Sequence, residues 1–161
     1  MGVRTLRYSY RLRLSKTSRR ALEAEWERVR WVWNQCVGRA DELRHDGYTC
    51  GPAELDKELT DWRNNDSRHG EWLRAGSSVP QQQVIRDWGK SRAKAFKDLK
   101  TGVPFKQRAG FPTFKSKRVA LLSMNFTTRG FSYQNSRLTL AGGIRAVVVE
   151  SRQLPSTPSS V

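Results

Sequence analysis

The chain has 161 residues, 37% hydrophobic and 28% charged, and its thirty Lys and Arg against fifteen Asp and Glu give a net charge of +15 and a pI near 10.7. As one domain it buries roughly 70% of its unfolded surface, enough for a modest core. It holds no apolar run long enough to span a bilayer and no signal peptide ahead of the basic opening Met1-Gly2-Val3-Arg4, and its two cysteines, Cys36 and Cys50, cannot build a disulfide framework or a cysteine-only zinc site.

The charge is one-sided. Residues 1–80 carry fifteen basic and twelve acidic groups, a net +3, whereas residues 81–161 carry fifteen and three, a net +12. A merely solvated surface mixes its signs, so this excess calls for a polyanionic partner, nucleic acid in the first place. An anionic membrane fits less well, because no long basic helix has a clean apolar face.

In chain order, residues 3–14 alternate Val3, Leu6, Tyr8, Tyr10, Leu12 and Leu14 with Arg4, Arg7, Arg11 and Arg13, which predicts a strand with one buried face. The arginine face reads as a blunted edge or as a phosphate-facing surface, and the lack of any acid favours the second. Thr17 or Ser18 then caps a helix to about Arg44, with Leu22, Trp26, Val29, Trp33, Cys36, Ala40 and Leu43 on one face and Trp31 off that stripe.

A Gly- and Pro-containing loop, residues 45–52, leads to a shorter helix carrying Leu55, Leu59 and Trp62, and Arg63 to Gly76 reads as a polar connection holding Trp72 and Leu73. Ser77 or Ser78 caps a basic helix with Pro80 in its first turn, where a missing amide is tolerated, and with Val84, Trp88, Ala95 and Leu99 on one face. Its first turn holds Gln81, Gln82 and Gln83, which read either as soluble filler or as side chains that bond base edges.

Between Arg86 and Arg118 there are eleven Lys or Arg and two acids, a local charge of +9. The stretch ends in Gly110-Phe111-Pro112-Thr113-Phe114-Lys115-Ser116-Lys117-Arg118, where rings alternate with cations. Cations suit a phosphate backbone, and Phe111 and Phe114 offer faces to unstacked bases. Short strands are predicted at Leu122 to Thr127, Phe131 to Tyr133, Arg137 to Leu140 and Ile144 to Val149, with turns at Gly130, Asn135-Ser136 and Gly142-Gly143. Val147-Val148-Val149 reads as buried by composition.

No catalytic constellation emerges. A metal-dependent nuclease converges several carboxylates on Mg²⁺, yet after Asp98 the single acid is Glu150. The twelve acids of the first half fall mostly on solvated helix faces, and His45 and His69 lack a nucleophile or second ligand. On its residues alone, the chain binds and does not cut.

Four islands in order carry a family resemblance. They are Tyr10-Arg11-Leu12 with Val32-Trp33-Asn34, similar to an "(F/Y)V(W/Y)N" signature; Val79-Pro80-Gln81-Gln82-Gln83-Val84-Ile85-Arg86-Asp87 leading to Lys94-Ala95-Phe96-Lys97; the residues 110–118, similar to "GxPxFKxKR"; and Leu138 to Ile144 with Ser151 to Pro155 and Pro158 to Val161. On these the sequence resembles the amino-terminal part of TnpB, a transposon-encoded RNA-guided DNA endonuclease.

The resemblance implies an α+β protein: a small wedge-type β-barrel formed by residues 1–16 and 108–161, split by a helical recognition domain at residues 17–107. It implies a bacterial cytoplasmic, nucleoid-associated protein with a guide RNA and target double-stranded DNA as partners, and no membrane. It assigns reading of the target-flanking motif to Gln82, Gln83, Ser78, Thr127 and Thr128, with Ser78 standing where some members carry lysine. Backbone contacts fall to Arg4, Arg7, Arg11, Arg13, Arg86, Lys90, Lys94, Lys97, Lys106, Arg108, Lys115, Lys117 and Arg118, and stacking to Phe111 and Phe114. These cations are expected to share one groove. Members of the family continue into a RuvC nuclease domain that holds Mg²⁺ and usually a zinc element. Any such cofactor is therefore expected outside these residues, on a further segment or a second chain. The alternatives are a nuclease-free RNA-guided repressor or remnant binder, and a DNA-only transposase accessory protein.

Overall fold

The computed structural model describes residues 4–119 and 123–161. The protein is α+β. In chain order the elements are β1 (Arg11–Leu14), α1 (Lys16–His45), α2 (Pro52–Asn65), α3 (Gly70–Arg74), α4 (Ser78–Lys100), a 3-10 turn (Phe105–Gln107), β2 (Phe131–Gln134), β3 (Arg137–Leu140) and β4 (Ile144–Val149). The strands form one antiparallel sheet in the order β1-β4-β3-β2, with β1 and β2 at its edges. Among the described residues no helix is long and apolar enough to cross a membrane.

The helix ends follow from local chemistry. Ser15, rather than Thr17 or Ser18, caps α1 by accepting the Ser18 amide at 3.0 Å. At the far end Gly47 takes a left-handed φ of 79°, which lets its amide reach the Arg44 carbonyl and the Tyr48 amide reach Leu43. The same device ends α4: Gly102 (φ 71°) donates to Leu99, and Val103 donates to Asp98. Ser77 caps α4 by accepting the Val79 amide.

The fold has two cores, and α1 contributes to both. Its Val29, Val32, Trp33, Cys36 and Val37 pack with Leu55 and Leu59 of α2, Leu73 of α3, and Val84, Ile85 and Trp88 of α4. Its Ala21 and Leu22 lie instead on the sheet, against a cluster of Phe126, Leu138, Leu140, Ile144, Ala146 and Val148. A boundary drawn at residue 16 therefore passes beside a helix that serves both halves.

Several expectations are corrected. The first strand spans only Arg11–Leu14, because its partner β4 ends at Val149 opposite Arg11 and nothing continues the ladder. Tyr10 is held outside the sheet, its hydroxyl donating to the Arg152 carbonyl at 2.9 Å. The strand expected from Leu122 begins outside the described residues. Within them, Phe126 and Val161 exchange both backbone hydrogen bonds, and Thr127 bridges Ser160.

Arg63 to Gly76 is not merely a polar link, since it contains α3 and the fully buried Leu73. Leu99 is 45% exposed, and Ile85 takes its place in the core. Val147 and Val149 face solvent because β4 buries alternate residues. Glu25 is buried rather than solvated: it pairs with Arg28 at 2.8 Å and accepts the Ser77 amide, and its burial raises its pKa.

Candidate nucleic-acid interface

The three glutamines at the start of α4 have separate fates. Gln81 is fully buried: its Nε2 donates to the Leu73 carbonyl at 3.0 Å, and its Oε1 accepts from Arg63 at 2.7 Å. It therefore ties α3 to α2. Gln83 and Ser78 are half-buried, and Gln82 is exposed. Period 3.6 alone separates them, since Gln81 shares the inward face with Val84, Ile85 and Trp88.

A distant turn meets this helix start. Gly130 lies so close to Val79 that a Cβ added there would stand 2.9 Å from Val79 Cγ1. Its amide donates to the Thr127 carbonyl, closing a turn that carries half-buried Thr127 and exposed Thr128. Asn125 adds a second tie, its amide donating to Asp87 at 2.7 Å. Ser78 and Gln82 of α4 and Thr127 and Thr128 of the turn thus belong to one corner, although more than forty residues separate them in sequence.

Residues 110–118 form a strap over α1. The Asn34 side chain grips the Lys115 backbone twice, donating to its carbonyl at 3.1 Å and accepting its amide at 2.8 Å. Arg30 donates to the same carbonyl at 3.2 Å, and Trp33 Nε1 donates to the Thr113 carbonyl at 2.8 Å. Two of the sequence islands therefore meet: Trp33-Asn34 is the anchor, and Thr113-Lys115 is what it holds. The Lys115 ammonium lies 3.8 Å from the Trp33 ring centroid, and loss of hydration lowers its pKa. Lys117 pairs with Glu27 at 3.3 Å, and Arg118 is exposed. So the structure sets Lys115 into the strap's own anchorage and engages Lys117, which leaves Arg118 as the outward cation of the three.

The second half of α4 and the loop after it make a different surface. Arg92 stacks over Trp88 and Phe96, and Phe96 meets Phe111 edge-on with ring centroids 4.9 Å apart. Phe96 is 50% exposed, Phe111 46% and Phe105 85%. Arg86, Lys90, Lys94, Lys97, Lys100, Lys106 and Arg108 are exposed on the same helix and loop. The one acid here is used internally: Asp98 accepts the Ala109 amide at 2.8 Å and pairs with Lys94 at 3.3 Å. That staple folds the loop back on α4.

The Ala109 amide first, and Lys94 with it, hold the Asp98 carboxyl below the usual aspartate range. Because the folded carboxyl titrates below its unfolded value, its contribution to stability is complete above the ordinary range and is lost as pH falls through the depressed value. The amide signal of Ala109 should therefore move in an acid titration with a midpoint below that of an ordinary aspartate. An Asp98→Asn variant should lack that titration, and an ordinary aspartate midpoint in the parent would mean that the staple is not formed.

Phe114 stands elsewhere. It is 63% exposed at a recess of about 520 Å³ between α1 and α2, lined by Glu42, Glu58 and Asp61 with Arg39. Arg39 is already engaged by Glu58 at 2.8 Å and by Glu42 at 3.2 Å. A base stacked on Phe114 would bring its phosphates towards these carboxylates, so the ring is poorly placed for the stacking assigned to it.

None of the expected cations lines the recess beside Phe114 or a second one. The second recess, of about 250 Å³, is mostly apolar, lined by Leu12, Leu14, Trp26, Phe126 and Val161 among others. The cations lie instead on α4 with its loop, on the strap, and on β1; Arg4 and Arg7 precede the sheet and are exposed. Phe96, Phe105, Arg92 and Lys100 were not singled out from sequence, although Phe96 falls off the apolar stripe between two lysines, which is itself a signal. Arg137 and Arg145 needed the strand register to be noticed.

Among the described residues no group of three or more His, Cys, Asp or Glu is placed to hold a metal ion. No protein-family model matches the chain, and no curated protein does.

Proposed function

We propose that the chain is the guide-RNA-binding and flanking-motif-binding part of a TnpB-type, transposon-encoded RNA-guided DNA endonuclease, acting in the bacterial cytoplasm at the nucleoid. The observation that carries this is the corner where Gly130 packs on Val79. It brings Ser78 and Gln82 of the helical part to the same corner as Thr127 and Thr128 of the β portion, and this reading assigns the motif to those four residues. A motif reader built from two parts of a chain needs such a junction.

In this reading the sheet, with the Phe126–Val161 pairing beside it, is part of the small wedge barrel, and α1 to α4 are the recognition domain. The Phe96–Phe111 surface, ringed by cations, takes unpaired bases of the RNA. Cleavage, with its Mg²⁺ and any zinc element, belongs to a RuvC domain on a further segment or a second chain.

Two measurements test the proposal. RNA that copurifies with the protein should be one structured transcript from the protein's own locus; recovery of none, or of unselected RNA, would overturn the reading. Gln82→Ala should relax discrimination at a single flanking base pair by about 1–3 kcal/mol while RNA affinity stays nearly unchanged. A fall in RNA affinity instead would place Gln82 on the RNA.

A further inference from the structure

The turn that carries Thr127 and Thr128 meets α4 at two points. Val79, Gln83 and Asp87 recur every fourth residue and so share one face of the helix. At one end of that face Gly130 packs on Val79, and at the other the Asn125 amide donates to the Asp87 carboxylate at 2.7 Å. The two contacts are a little over two helical turns apart, about 12 Å along the axis. Half-buried Gln83 lies between them. The sheet portion holds the turn from its other side: Phe126 is buried in that core, and the Gly130 carbonyl accepts the Ala141 amide at 2.7 Å.

A single contact is a pivot. With Val79 and Gly130 alone, rotation about that point would carry Thr127 and Thr128 across the start of α4, where Ser78 and Gln82 stand. The second contact removes that rotation, and as a charge-assisted bond it is stronger than a neutral one. Asp87 is also unusual in its sign. It is one of three acids in residues 81–161, and a carboxylate beside a surface for polyanions weakens their attraction. Asp98, the next acid, is taken up by the loop staple, and Asp87 is likewise taken up by Asn125. The charge of Asp87 also acts on Lys115 of the strap, opposing the lowering that burial imposes there. It therefore stands where α4, the strap and the turn come together.

We propose that Asp87 is a positioning residue for reading the flanking motif: through Asn125 it holds the turn in one orientation on α4, and so sets how sharply Ser78, Gln82, Thr127 and Thr128 discriminate. This rests on the reading of the corner as the motif reader, and it adds two residues that touch no base. Discrimination between base pairs depends on donors and acceptors held within about 0.5 Å of their working geometry. Attraction to a polyanion depends on charge and tolerates displacement. Loss of the clasp is therefore felt in specificity and not in RNA binding.

The test uses the full-length protein with its copurifying RNA, and a DNA duplex library whose flank beside the guide-matched target is randomised. The parent is compared with Asn125→Ala, with Asn125→Asp and with the exchange Asn125→Asp/Asp87→Asn. The first variant removes the bond at constant charge. The second sets two carboxylates against each other, and the exchange restores the bond with donor and acceptor swapped. Both single variants should lose about 10-fold in the affinity ratio between the preferred flank and its single-pair mismatches. Asn125→Ala should bind RNA as the parent does and melt within about 3 °C of it. The exchange should recover the ratio. An unchanged ratio in Asn125→Ala overturns the inference. Loss of the ratio in the exchange also overturns it, by making Asn125 itself a reader. Equal losses on every flank with a lower melting point do the same, by making the pair part of the scaffold. A parent without preference among flanks would sink the proposed function and the clasp together, whereas a clear preference that Asn125→Ala leaves intact would sink the clasp alone.

Discussion

Replacing Trp33 by alanine should lower folding stability by about 3–5 kcal/mol, read from the midpoint of urea unfolding. The ring is 7% exposed among Val29, Val32, Cys36 and Val37 of its own helix and the facing residues of α2 and α4. Truncation removes that burial and leaves a cavity which the surrounding helices close only in part. It also removes the indole donor to Thr113 and the surface under Lys115. Trp33→Phe separates the contributions: most of the burial stays, the hydrogen bond goes, and the loss should fall to roughly 1–2 kcal/mol. Asn34→Ala should then couple to Trp33→Phe in a double-mutant cycle, because both residues hold the same three residues of the strap. A Trp33→Ala loss under about 1 kcal/mol would take the residue out of the core.

The second large effect lies on binding. Changing Lys97, Lys100, Lys106 and Arg108 to alanine together should weaken binding of a structured RNA by roughly 10²-fold near 0.15 M salt and reduce the salt slope by about 3. These four are exposed on the helix and loop that carry Phe96, Phe105 and Phe111. The comparison set is Lys115, Lys117 and Arg118. With Lys115 lying over Trp33 and Lys117 paired with Glu27, their joint replacement should change the slope by about 1 rather than about 3. Equal slopes for the two sets would mean that the strap faces the nucleic acid as fully as the α4 loop does.

The helices and hairpins were legible because their signals are local. Trp26, Val29, Trp33 and Cys36 recur at helical spacing, and Asn135-Ser136 supplies the two left-handed residues (φ 51° and 59°) that close the β2–β3 hairpin. Partnership was not legible. Arg4 to Tyr10 alternate as well as any strand, but a strand needs a neighbour, and β4 stops at Val149. The same gap hid the site. Gln81, Gln82 and Gln83 are one residue type in a row; helix phase sets the first beside Val84 and Trp88, but its bonds to Arg63 and Leu73 exist only through the packing of α4 on α2 and α3. Lys115 reads as a free cation until Asn34, eighty-one residues away, draws it onto α1. Val79 and Gly130 likewise carry no sequence mark of their contact.

One helix has a mechanical consequence. At thirty residues α1 is about 45 Å long, and it is uninterrupted from the sheet core through the helical core. Proline is absent from it, so no built-in hinge lets the β portion swing against the helical layer. The sheet and the helical layer are therefore tied to one continuous rod rather than joined by a pliable link.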